Sequence, residues 1–232
     1  MGGIMANPET YILDLNGKTR PPRSSLAETV VHDIDWFNAN RASKRRFDPV
    51  LGIKGVVIHA TAGSTSGGAL QHWRTAANAS AHWIVPAERE AEHGRKVIAS
   101  VYEARAARHV RDDKSNRAIN GGAALINHWT LGIEIVNRQD LDDYTDPYSD
   151  WQVQATADIV RYCWAKYPNL RWVFSHASVD PRRRADPGKQ FPWTKFAGLV
   201  TAATAPPAPL PLVNPVPDDD EMADDSRQPC CG

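Results

Sequence analysis

Three short runs in this sequence place a chemically active side chain among apolar neighbours: His59 in GVVIHAT, Glu134 in WTLGIEIVN and His176 in RWVFSHA. The last of them opens into FSHASVDPRRRADPGKQFPW, residues 174–193, which gathers one histidine, four arginines or lysines and the aspartates Asp180 and Asp186 around proline and glycine turn signals. Imidazole and carboxylate groups offer proton transfer or metal coordination, and a guanidinium offers fixed positive charge. Glu134 is the sharpest of these signals. A carboxylate in an apolar strand must be paired, lie near a metal or border a cleft, because burying it alone costs several kcal/mol. Each histidine taken singly also has an ordinary reading as a hydrogen-bonded structural residue, and no HExxH helix joins them. His72, beside Trp73, reads as surface or core, and His93 and His128 as loop or surface residues.

The elements that would position these groups follow from hydrophobic period. Alternation along GVVIHAT puts Val57, His59 and Thr61 on one face and Val56, Ile58 and Ala60 on the other, so His59 emerges at a strand end that opens into a Gly/Ser loop. The same alternation in WTLGIEIVN sets Gly132 and Glu134 opposite Leu131, Ile133 and Ile135. SAHWIVPA, KVIASVY and RWVFSHA read as further strands, and SGGALQHWRTAANA, DWQVQATADIVRYCWAKY and PWTKFAGLVTAAT as helices. Strands alternating with helices predict an α/β fold, a single domain with a central mixed β-sheet flanked by helices.

Around this core, residues 1–50 read as a polar arm with one helix over SSLAETVVHDIDWFN, capped by Ser24 or Ser25. The domain proper is expected over 51–204. Residues 205–232 form a Pro-rich and then acidic tail without a hydrophobic pattern, which predicts disorder. At 232 residues with 42% apolar content the chain can bury one sizeable core. Its formal net charge of zero gives no footprint for nucleic acid. Its three cysteines, Cys163 and the adjacent Cys230 and Cys231, make neither a disulfide framework nor paired zinc spacing. No apolar run approaches the roughly 20 residues that span a bilayer, and no secretory leader is visible. The expectation is a soluble protein made in the cytoplasm, without membrane insertion.

GVVIHATAG, SAHWIVPA, NHWTLGIEIVN and HASVDPRRRADPGKQFPW, in this order, resemble the type 2 N-acetylmuramoyl-L-alanine amidase family, which includes peptidoglycan recognition proteins and phage amidase endolysins. The resemblance covers about residues 53–200 and implies that fold, with peptidoglycan or muropeptide as substrate. It implies that His59, His176 and Asp186 hold Zn2+, with one tetrahedral position left open for catalysis. It implies that Glu134 takes a proton from the attacking water and returns it to the leaving amine as the lactyl-alanine amide is cut. Arg184 stands where the family usually has Lys; a guanidinium does not readily give up a proton, so the role implied for it is stabilising an oxyanion. His109 is implied as a wall of the substrate cleft, and His82 as a structural or supporting histidine behind the site. Arm and tail together favour a phage-type lysin over a cytoplasmic recycling enzyme. A peptidoglycan-binding module without turnover and a protein in which zinc only stabilises the fold are the competing classes.

Overall fold

The computed structural model describes residues 10–34, 41–75, 78–139 and 146–203, and among them are nine short strands and three α-helices. In chain order they are β1 (Ile12–Asp14), β2 (Thr29–Val31), β3 (Ala42–Lys44), β4 (Gly55–Ala60), α1 (Ser66–Thr75), β5 (Trp83–Val85), β6 (Val97–Ala99), β7 (Arg105–Ala107), β8 (Thr130–Ile135), α2 (Asp150–Lys166), β9 (Trp172–Ser175) and α3 (Trp193–Thr201). Seven of the strands join one sheet in the order β1-β9-β4-β8-β5-β6-β2, while β3 and β7 pair separately. The central β4 runs parallel to both β8 and β9, and the outer pairs β1/β9 and β5/β6 are antiparallel, so the sheet is mixed as the sequence predicts.

Burial on both faces explains the strand sequences, since a central parallel strand reads as a nearly unbroken apolar run. One face of the sheet, with Val56, Ile58, Leu131 and Ile133, packs against Val153, Ile159 and Val160 of α2 and Phe196 and Val200 of α3. The opposite face is divided. Ile84 and Ile98 meet Leu70 and Trp73 of α1, and Val57 clusters with Trp129 and Phe174. His59 and Glu134 belong to this second face. Helix α2 starts at a capping box: Ser149 Oγ accepts from Gln152 N at 3.2 Å, and Ser149 N donates to Gln152 Oε1 at 3.1 Å. Such caps contribute about 1 kcal/mol.

The arm differs from its sequence reading. In place of a helix over 24–38, Thr29–Val31 extends and pairs in parallel with β6. Residues 35–38 of that reading lie outside the described residues, as do 205–232. The β-branched triplet Thr29-Val30-Val31 gains an edge position in the sheet, and that tertiary pairing overrides the helical spacing of its apolar residues. Between the arm strands, Arg20 fastens the chain to the end of α2 by donating to the carbonyls of Trp164, Tyr167 (2.7 Å) and Pro168 (2.8 Å). Among the described residues no helix is long and apolar enough to cross a membrane.

Candidate metal centre

The register of the two central strands places His59 directly beside Glu134. His176 follows the last residue of β9, in a short 3-10 turn whose first carbonyl accepts from Val179 N and Asp180 N. That turn sends the chain out through the arginine run and back, so that Asp186 O accepts from Ala177 N at 3.2 Å. Two hydrogen bonds hold the return: Gln139 Nε2 and Tyr148 OH each donate to Pro187 O at 2.7 Å. Gly188 then turns the chain with a φ of 84°, in the left-handed region that favours glycine.

Three donors meet there. The Nδ1 atoms of His59 and His176 lie 3.0 Å apart, and Asp186 Oδ2 is 3.2 Å from the first and 3.0 Å from the second. All three residues are buried. Burial, reinforced by His176, lowers the His59 pKa to about 4 against the pull of Asp186, so its ring is neutral at physiological pH. Burial alone would raise the Asp186 carboxyl, but His176 and His59 outweigh it and hold the group well below the usual carboxylate range. Two imidazole nitrogens and one anionic oxygen suit a divalent ion of borderline softness. Tetrahedral zinc at about 2.0–2.2 Å from each donor would set those donors roughly 3.3 Å apart, close to the spacing here. Among the described residues, this is the one group of three or more His, Cys, Asp or Glu side chains whose donor atoms converge in this way.

Glu134 is half-buried, and its Oε2 is shut off from solvent without a hydrogen-bond partner. Burial pushes its pKa up to about 8, with Asp186 adding to the rise and Arg184 opposing it. Arg184 is exposed; its backbone N–H donates to Asp180 O at 2.9 Å, leaving the guanidinium at the rim. His109 is buried, with Nδ1 3.1 Å from His59 Nε2 and Nε2 3.3 Å from Thr130 Oγ1. Behind it, His82 accepts from Gly132 N at Nδ1 (2.9 Å) and meets Arg105 O and the buried Arg45 guanidinium at Nε2. His59, His109, Glu134, His176, Arg184 and Asp186 all line one cleft of about 1080 Å³, whose outer wall is built from α1 and the stretch after His109. Every site residue singled out in the sequence is therefore in one place.

The other histidines divide. His72 is exposed at the mouth of the cleft. His93 and His128, expected in loops or at the surface, are both buried: His93 Nδ1 contacts Ser66 Oγ at 2.8 Å, and His128 Nδ1 accepts from Arg46 N at 3.1 Å. Sequence reasoning gave no role to Thr130, Gln139 or Tyr148, whose partners are remote in the chain. Gly132 did carry a signal, since a glycine inside a strand marks a close approach by another group.

A family profile described as N-acetylmuramoyl-L-alanine amidase matches residues 49–189. The 1,6-anhydro-N-acetylmuramyl-L-alanine amidase AmpD of Enterobacter cloacae is 26% identical over 84 residues, which cover 36% of this chain and 42% of AmpD. The N-acetylmuramoyl-L-alanine amidase AmiD of Escherichia coli K12 is 30% identical over 151 residues, covering 62% of this chain and 52% of AmiD. The chain thus spans about half the length of the curated relatives it matches. A solved complex of E. coli AmiD with the substrate anhydro-N-acetylmuramic acid-L-Ala-D-γ-Glu-L-Lys aligns with a TM-score of 0.51 at 28% identity, over 66% of this chain and 59% of that one.

Proposed function

The chain belongs to the N-acetylmuramoyl-L-alanine amidase family, and on that premise we propose that it hydrolyses the amide between N-acetylmuramic acid and L-alanine in peptidoglycan or fragments of it. The observation that carries this reading is the convergence of His59, His176 and Asp186 at 3.0–3.2 Å beside the Glu134 carboxyl, whose Oε2 has no partner, all lining one cleft. His59 Nδ1, His176 Nδ1 and Asp186 Oδ2 are the atoms that would hold zinc. When bound, zinc supplies Lewis acidity and brings the pKa of a coordinated water from about 15.7 to about 7.

The chain's own groups supply the rest. The Glu134 carboxyl, on the strand beside His59, accepts the proton of the attacking water and delivers it to the departing alanine nitrogen; such positioned transfer contributes about 10²- to 10⁴-fold. Arg184 keeps its charge throughout and stabilises the negative charge that develops on the carbonyl oxygen. Tyr148 and Gln139 hold Pro187 so that Asp186 stays in place.

Anhydromuramyl compounds appear in the name of AmpD and in the ligand of the AmiD complex. They support soluble wall fragments as the substrate class in preference to the phage-type lysin setting, for which the arm and tail are the only argument. The test is mass spectrometry of an anhydromuramyl tripeptide incubated with the protein. Release of free peptide, stopped by chelator and restored by zinc, is expected. A zinc-loaded protein that cleaves neither this fragment nor intact sacculi overturns the proposal, and cleavage of sacculi alone restores the lysin reading.

A further inference from the structure

We infer that His109 is a positioning residue for His59: together with Thr130 it holds the His59 ring in the tautomer whose Nδ1 lone pair faces His176 and Asp186. This rests on reading the trio as a metal centre, and it adds to the cleft-wall position expected of His109.

The argument follows one hydrogen atom at a time. Thr130 is fully buried, and its Oγ1 lies 2.7 Å from Ile126 O. A carbonyl can only accept, so the hydroxyl hydrogen points at Ile126. What Thr130 offers His109 Nε2, at 3.3 Å, is then a lone pair, and His109 must carry its hydrogen on Nε2. Its Nδ1 is left as an acceptor, 3.1 Å from His59 Nε2, with the two rings edge to face at 84°. His59 therefore donates from Nε2 and keeps Nδ1 unprotonated. If His109 donated instead, the His59 hydrogen would move to Nδ1 and bond Asp186 Oδ2, occupying the atom that a metal needs. The Thr130 hydroxyl decides between these two chains, from two residues away. A ligating histidine whose other ring nitrogen is held in this way is oriented and made a better donor.

Two further features serve the same ring. A Cβ on Gly132 would sit 2.7 Å from His109 Cγ and 2.9 Å from its Nδ1 and Cδ2, so the imidazole can reach His59 only because residue 132 has no side chain. Asn127 clamps the backbone on which His109 is mounted: its Oδ1 accepts from His109 N (3.2 Å) and Val110 N (2.9 Å), and its Nδ2 donates to Val110 O.

The test has a spectroscopic and a binding arm, both on the full chain. Long-range ¹H–¹⁵N spectra of the metal-free protein report which ring nitrogen carries hydrogen, and Nε2–H is expected for both His59 and His109. His109→Phe, which fills the ring volume without an acceptor, is expected to remove the His59 preference and weaken zinc binding about 10- to 100-fold. His109→Gln, whose amide oxygen can accept from His59, should recover part of that loss. Thr130→Val, close in shape, should weaken binding while the fold persists, and Gly132→Ala should act like His109→Phe. The inference is overturned if His59 carries its hydrogen on Nδ1 in the wild type, or if Thr130→Val and His109→Phe bind zinc as the wild type does. Should His109→Phe not fold, the wild-type spectrum and Thr130→Val decide. A wild type that takes up no zinc defeats the metal-centre reading instead, and the tautomer spectrum still judges this one.

Discussion

At neutral pH and without metal, Glu134 holds its proton, because burial, then Asp186, push its pKa up to about 8. His59, lowered to about 4, and Asp186, held well down, have already lost theirs. Zinc at the neighbouring donors adds positive charge beside Glu134 and favours its ionised form. Loading the protein with zinc at about pH 7 should therefore release the Glu134 proton as well as any from the coordinated water, read from calorimetry in buffers of different ionisation enthalpy. Glu134→Gln should lower that release by close to one proton, keep the metal, and lower turnover about 10²- to 10⁴-fold. An unchanged proton count in the variant would assign the proton elsewhere. At this scale much was legible: His59 and Glu134 stood out as polar residues in apolar strands, whereas their third neighbour, Asp186, became identifiable only through family resemblance. The parts played by Thr130 and Tyr148 were not legible, because each acts on a partner whose orientation only the fold sets.

The elements differ in how firmly they hold the site. His59 and Glu134 sit opposite each other on central strands that each have a neighbouring strand on both sides. Asp186 sits on a return loop whose position depends on Gln139 and Tyr148. Tyr148→Phe keeps the ring packed edge to face on Phe191 but removes one buried donor to Pro187 O. Loss of that bond should cost about 1 kcal/mol, or about 2–4 °C in Tm, and weaken zinc binding while leaving Glu134 in place. Equal zinc affinity in variant and wild type would show that the loop holds without it. Buried strands such as β4, β8 and β9 were readable because their apolar runs are nearly continuous. Strand β2 was misread as a helix because a three-residue edge strand carries no period of its own; its conformation comes from pairing with β6.

Across the whole molecule, the histidines set the response to acid. Burial holds His59 at about 4 and pushes His82 and His109 well below the ordinary imidazole value. A group with a lowered folded pKa binds fewer protons folded than unfolded, so stability falls as pH drops below about 6.5, by up to about 1.4 kcal/mol per pH unit for each such group. Glu134 works the other way, its raised pKa costing stability as pH climbs from about 4.5 to about 8. Three groups outweigh one, so the metal-free protein should unfold at lower denaturant concentration at pH 5 than at pH 6.5; an equal or higher midpoint at pH 5 would contradict these assignments. The sheet itself has another consequence. Both of its outermost strands come from the first 31 residues, and one of them aligns Ile12 with Phe174. During synthesis that N-terminal strand emerges early yet has nothing to zip onto until nearly the whole domain has left the ribosome. Completing the architecture is thus a late, long-range closure, made by a strand translated long before its partner.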